Sequence, residues 1–165
     1  MRRFSKALAV FAVLGALASP VLSRAHAAGT DPAILAAVDA AIAAINSGSL
    51  ADAKAAYADA PAAITDDFPP FYWSGKSAVE DYSRDFKAIL TKYGITEWRF
   101  QRHQPRYVMA TDDHAYLVMP ASFPFLLGGK TQSVSADWIF VLAKQDGKWR
   151  VQVSAFGDTG HTLLP

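Results

Sequence analysis

The sequence predicts an α+β fold in which helices, mostly from the first half of the chain, pack on one face of an antiparallel sheet built mainly from the second half. Two contrasting periodicities carry this reading. Apolar side chains recur at three- and four-residue steps over residues 32–45 and 79–93, and at two-residue steps over most of residues 95–156. Punctuation is the other sign: Gly48, Gly94, Gly128-Gly129 and Asp146-Gly147 fall where elements stop or reverse.

The first helix starts at Asp31-Pro32, an N-cap followed by proline at the first helical position. Its apolar stripe is Ile34, Leu35, Val38, Ala41, Ile42 and Ile45, and Asn46-Ser47-Gly48 ends it. Ser49 with Asp52 three places on resembles a capping box for a short helix to about Ala58, which Pro61 breaks. Ala62–Phe68 reads as a strand with Ala62, Ile64, Asp66 and Phe68 on one face. Pro69-Pro70 stops it, and Phe71-Tyr72-Trp73 forms a brief extended run. Ser77 and Glu80 make a second capping box, opening a helix with the stripe Val79, Tyr82, Phe86, Ile89, Leu90 and Tyr93, and Gly94 closes it. Strands then follow over Ile95–Met109, His114–Phe125, Lys130–Lys144 and Lys148–Phe156. No repeat or linker divides the chain, so residues 28–165 read as one domain.

The N-terminus reads differently. Arg2, Arg3 and Lys6 precede the apolar run Ala7–Ala18, then Pro20 and the small-x-small pattern Ala25-His26-Ala27. This is the order of a secretory signal peptide, cut after Ala27. Twelve apolar residues at ~1.5 Å each reach ~18 Å, short of a ~30 Å hydrocarbon core, so the run does not read as a membrane anchor. The predicted address is the periplasm or the medium, with no membrane association after cleavage.

Removing residues 1–27 takes away four of the 16 basic residues and none of the 15 acidic ones, so the formal charge moves from +1 to −3. No basic excess remains for nucleic acid. With no cysteine in the chain, disulfides, thiol catalysis, Cys-ligated metals and lipidated cysteines are excluded. The core must come from apolar residues, 52% of the chain, ten of them phenylalanine and four tryptophan.

The element order, Ala44-Ile45-Asn46-Ser47-Gly48 followed by Leu50, Trp73-Ser74-Gly75 before the third helix, and Gln145-Asp146-Gly147-Lys148-Trp149 in the last hairpin together resemble the nuclear transport factor 2-like, or SnoaL-like, superfamily. The resemblance covers nearly all of residues 30–158. It implies a cone-shaped domain in which a curved sheet wraps the helices around a cavity. It says little about activity, because the superfamily includes isomerases, dehydratases, cyclases, transport factors and domains of unknown role.

Asp66 is the candidate catalytic residue. It lies eight residues before Ser74, a spacing similar to that of the general-base aspartate in the family's steroid isomerases. An aspartate on the Ile64/Phe68 face would be desolvated, which raises its pKa and suits proton abstraction. By the same resemblance the isomerase's oxyanion-donating tyrosine falls on Ala41, and its second, protonated aspartate near Ser135. Without those donors a large catalytic contribution is missing, and steroid isomerisation is not expected.

Other candidates follow from strand parity. Val134, Ala136, Trp138, Phe140 and Leu142 form an apolar face; Ser133, Ser135, Asp137, Ile139 and Val141 form a mixed one. The last strand divides into Trp149/Val151/Val153 and Arg150/Gln152/Ser154/Phe156. If the mixed face is inward, Asp137, Arg150 and Gln152 supply the polar groups of a small-molecule pocket; an Asp137–Arg150 ion pair is the plainer alternative. The resemblance places the Gln152/Phe156 side in the cavity. Among Phe71-Tyr72-Trp73 at least one ring must be exposed or line a cavity mouth, so Tyr72 and Trp73 join Phe86 and Tyr116 as expected ligand contacts. His103 and His114 fall nearly 20 Å apart along a hairpin at ~3.3 Å per residue, too far to share a metal, and His161 sits in a frayed tail. No metal or other cofactor is expected.

Three functions compete. The leading one is an exported domain binding a small apolar or mixed-polarity ligand. The second is a cofactor-independent isomerase, dehydratase or cyclase with Asp66 as base and Tyr72 or Tyr116 as donor. The third is a structural dimerisation module pairing through Trp138, Phe140 and Trp149, and a homodimer fits any of the three.

Overall fold

Three helices and eight strands follow one another in a computed structural model that describes residues 31–59 and 62–163, with side chains to Gly160. The expected signal peptide over residues 1–27 lies outside the described residues. Helix α1 spans Pro32–Ser47: Asp31 Oδ1 accepts the Ala33 N–H at 2.9 Å, and Gly48, with φ 69°, ends the helix in the left-handed region. Helix α2 spans Leu50–Ala56, with Ser49 Oγ accepting the Asp52 N–H at 3.2 Å. The box there is one-sided, because Ser49's own N–H donates to Ser47 Oγ.

Strand β1 (Ala62–Thr65) pairs antiparallel with β2 (Tyr72–Gly75), and α3 (Ala78–Tyr93) follows. The expected Ser77/Glu80 box does not form: Ser77 makes no side-chain cap, Glu80 pairs instead with Lys54 at 2.8 Å, and Ser77 meets Asp81. The stripe of α3 is buried at Val79, Tyr82, Phe86 and Leu90, whereas Tyr93 emerges at the helix end.

The single strand expected over Ile95–Met109 is three short ones, β3 (Ile95–Thr96), β4 (Gln101–Arg102) and β5 (Tyr107–Ala110), all paired with β6 (His114–Leu127). Glu97, at φ 48°, turns the chain off the ladder, and Pro105 brings no N–H to it. Single bonds from Arg99, His103 and Arg106 N–H groups to β6 carbonyls hold the gaps in register. Strands β7 (Lys130–Gln145) and β8 (Lys148–Leu163) complete the sheet, with Gly128-Gly129 and Asp146-Gly147 at positive φ in the two tight turns. β8 runs past Phe156 and pairs through His161, where a frayed tail was expected.

The sheet order is β2-β1-β8-β7-β6-β3. It is antiparallel except where β1 runs parallel to β8, and it curls around the helices as a half-barrel. The inner face of β7 is Val134, Ala136, Trp138, Phe140 and Leu142, every one buried. This is the apolar face expected to pair with a helix or a second subunit, and its own helices and the aromatic core occupy it. That face is therefore not open to a second subunit.

On β8 the parity changes midway. Val141 pairs with Val153 but Leu142 pairs with Val151, leaving Gln152 as the extra residue of a β-bulge. Val151 therefore faces inward on one side of the bulge, and Ser154 and Phe156 face inward on the other. The unbroken two-face division expected for this strand fails at that residue.

Candidate functional site

Asp66 follows β1 directly and keeps its inward parity, so Ala62, Ile64, Asp66 and Phe68 are all buried, Asp66 to 8% exposure. Its carboxylate has two partners. Oδ1 accepts the Asp67 N–H at 2.8 Å, and Oδ2 accepts the Tyr82 hydroxyl at 2.7 Å. Burial opposes the charged form and pushes the Asp66 pKa up to about 7, while both hydrogen bonds pull it down. A carboxyl poised there exchanges protons readily at neutral pH. Tyr82 is pushed well above the ordinary tyrosine value of 10, first by burial and then by the Asp66 charge.

A second buried hydroxyl pair lies nearby. Tyr57 and Ser154 share a 2.9 Å hydrogen bond, and burial pushes the Tyr57 pKa up to about 12, with the Asp66 charge adding to the rise. Four polar side chains thus occupy the apolar interior, each with a partner, as buried polar groups require.

Aromatic rings exclude water from this corner. Trp73 meets Tyr82 edge-on at 5.1 Å, Phe68 lies 5.1 Å from Trp73, and Phe86 stacks on Tyr82 at 5.8 Å. Trp73 is held by a 2.9 Å bond from its Nε1 to Asp85 Oδ2. From Phe86 the aromatic core runs on through Phe100 to Phe123, Trp138 and Phe156.

A cavity of about 540 Å³ opens between α3 and the α1–α2 corner. Its apolar wall includes Ile45, Tyr82, Phe86, Leu90, Ile95 and Trp98, and its polar members include Ser49, Ser83, Lys87 and Thr91. Tyr82 belongs to both places: it lines the cavity, and its hydroxyl reaches Asp66, which stands behind it. A second, shallower depression of about 450 Å³ lies beside the Asp39–Arg102 ion pair.

The structure gathers some of the expected residues and separates others. Asp66, Trp73 and Phe86 meet around Tyr82, and Phe156 lies deeper, 5.3 Å from both Phe100 and Trp138. Tyr72 is 57% exposed on β2. Tyr116 is on the outer sheet face, its ring against Tyr107, so neither Tyr72 nor Tyr116 reaches Asp66. Asp137 is also outside, where it accepts from Arg106 Nη1 at 2.8 Å rather than from Arg150. Arg150 instead donates to the carbonyl of Ala55. Gln152 sits at the bulge.

Tyr82 is the residue that reading the sequence passed over. Its place in the α3 stripe marked it as core, which it is, and nothing local announced a hydroxyl aimed at Asp66. Ala41 is buried and Ser135 exposed, so neither supplies an oxyanion donor beside Asp66. Among the described residues, no group of three or more His, Asp or Glu side chains comes together as a metal site.

A protein-family model described as a SnoaL-like domain matches residues 34–154. Among solved structures, the chain is similar to hexachlorocyclohexane dehydrochlorinase LinA-type3 from Novosphingobium barchaimii LL02, with a TM-score of 0.67 and 12% identity over 81% of this chain and 88% of that one. It is similar to a ketosteroid isomerase-like protein from Erwinia carotovora atroseptica SCRI1043, with a TM-score of 0.61 and 16% identity over 78% and 95%. It is also similar to a protein of unknown function from Mycobacterium tuberculosis, with a TM-score of 0.63 and 16% identity over 77% and 74%. At these identities the likeness is one of fold. Comparison with curated proteins gives no match.

Proposed function

The chain belongs to the SnoaL-like domain family, and on that footing we propose that it binds a small apolar or mixed-polarity molecule in the cavity beneath α3. One observation carries the reading. A space of about 540 Å³, within the ~300–1,000 Å³ range of small-molecule sites, is walled by aromatic and aliphatic side chains with few polar groups. Ile45 lies half-buried on that wall. Ile45→Trp fills part of the space from its rim, and binding of an apolar probe such as decan-1-ol should fall at least ten-fold while the circular dichroism spectrum is kept. Unchanged affinity in that variant refutes the site.

A second reading rests on the Asp66–Tyr82 pair. A buried carboxyl with its pKa raised to about 7, 2.7 Å from the hydroxyl of a tyrosine whose side chain lines the cavity, fits general-base chemistry of the isomerase, dehydratase or cyclase kind. The Asp66 carboxylate, to which the Tyr82 hydroxyl donates, takes a proton from carbon, and the neutral acid so formed returns it. Two of the structural neighbours, a hexachlorocyclohexane dehydrochlorinase and a ketosteroid isomerase-like protein, are compatible with such a base. Its test is exchange of the α-protons of an apolar ketone such as 2-tetralone for solvent deuterium. The protein should accelerate exchange and Asp66→Asn should remove the acceleration; equal rates for the two proteins reject Asp66 as base.

Export completes the proposal. The charged start, the twelve-residue apolar run and Ala25-His26-Ala27 support export with cleavage after Ala27. Intact mass of the exported protein should correspond to a chain starting at Ala28, and an exported chain retaining residues 1–27 contradicts it.

A further inference from the structure

We infer that the cavity selects ligands with an anionic head group, such as a carboxylate on an apolar chain, and that Lys87 receives that head. The inference deepens the small-molecule reading and rests on it. Its starting point is the charge around the cavity. Among the described residues the lining contains a single charged side chain, Lys87, and no Asp or Glu.

Helix geometry explains how a lysine comes to stand there. Ser83, Lys87 and Thr91 follow one another at four-residue steps, one position round from the buried stripe Tyr82, Phe86 and Leu90. Both stripes line the same cavity, so an apolar wall and a polar edge run side by side along α3. Two of the three polar residues are already engaged: Ser83 Oγ donates to the Val79 carbonyl at 2.6 Å and Thr91 Oγ1 to the Lys87 carbonyl at 2.9 Å.

The acids on the preceding turns of α3 are engaged too. Glu80 pairs with Lys54 at 2.8 Å, and Arg84 holds Asp81 at 2.6 Å and Asp85 at 2.9 Å. Among the described residues the Lys87 ammonium has no hydrogen bond or ion pair. It is thus an uncompensated cation at the polar edge of an apolar pocket. A molecule lying against Phe86, Leu90 and Trp98 can place its head at that edge, where water still reaches it, so the carboxylate need not be stripped of solvent. A cationic head meets repulsion there.

The test compares decanoate with decan-1-ol by isothermal titration at pH 7.5, on the wild-type protein, Lys87→Met and Lys87→Glu. The reading is the ratio of the alcohol's Kd to the acid's, which cancels changes common to both ligands. A partly exposed ion pair predicts that this ratio drops about five-fold in Lys87→Met and further in Lys87→Glu. A ratio that stays constant across the three proteins overturns the head-group assignment and leaves the cavity reading standing. If neither probe binds the wild-type protein, both fall together.

Discussion

Asp66→Asn should make the protein more stable at pH 8 and flatten its dependence of stability on pH. The sign follows from linkage. Folding raises the Asp66 pKa from the ordinary 3.8 to about 7, so between those values the unfolded chain releases a proton that the native state keeps. Wild-type stability is complete below about pH 4, falls as pH rises through the window and levels off above about pH 7. The whole difference amounts to about 4 kcal/mol. Asparagine carries no charge in either state, so the slope vanishes. The variant's gain at pH 8 is smaller than the full amount, because the amide cannot accept from both the Asp67 N–H and Tyr82 as the carboxylate does. The exposed Asp31 and Asp113 and the partly exposed Asp81 and Asp85 have lowered pKa values and titrate with the opposite sign, below the window. They cancel when variant and wild type are compared. Urea unfolding between pH 4 and 8 reads the result, and parallel curves for the two proteins contradict a neutralisable buried Asp66.

Phe100→Ala should cost about 3–5 kcal/mol and abolish ligand binding. Phe100 is 3% exposed, and its ring lies within 6.3 Å of Phe86, Trp98, Phe123, Trp138 and Phe156. Removing it opens a void where helix, sheet and the β3–β4 connection meet. The backbone there is pinned as well: Asn46 donates to the Phe100 carbonyl at 2.9 Å and accepts its N–H at 2.8 Å. Phe86 and Trp98 are walls of the cavity and lean on this ring, so the loss of packing reaches the site directly. Equilibrium unfolding gives the stability change. A loss below 1 kcal/mol with binding intact contradicts the role given to this ring.

These two residues also show what a sequence can disclose. Asp66 was legible because a strand has a fixed period: Ala62, Ile64 and Asp66 had to share a face, and hydrophobic neighbours had to bury it. The helices were legible for the same reason, and their glycine stops at Gly48 and Gly94 fall at left-handed backbone as expected. Parity gave way where the ladder itself is irregular. One extra residue, Gln152, flips every side chain after it, so Phe156 comes inward with Ser154 while Val153 turns outward. Nothing in the composition of β8 marks that residue. Parallel pairing of β1 with β8 is equally silent, because it joins segments about ninety residues apart.

Polar partners were the hardest to foresee. Tyr82 and Asp66 are sixteen residues apart and meet only because α3 folds back over β1. Asp137 finds Arg106 because Arg106 immediately precedes β5, which β6 separates from β7, on the outer face. The same tertiary constraint takes Glu80 to Lys54 on α2 and leaves the α3 cap without its box. Local spacing proposes such bonds, and the packing of distant elements decides them.

The position of a bound probe separates the cavity from every other surface. Methyl-resolved NMR of the protein titrated with decan-1-ol should give intermolecular contacts to Ile45, Leu90 and Ile95, which line the cavity, and none to Val118 or Ile139 on the outer sheet face. Contacts confined to the outer face, or contacts to Leu90 and Ile95 persisting undiminished in Ile45→Trp, would contradict a binding site beneath α3.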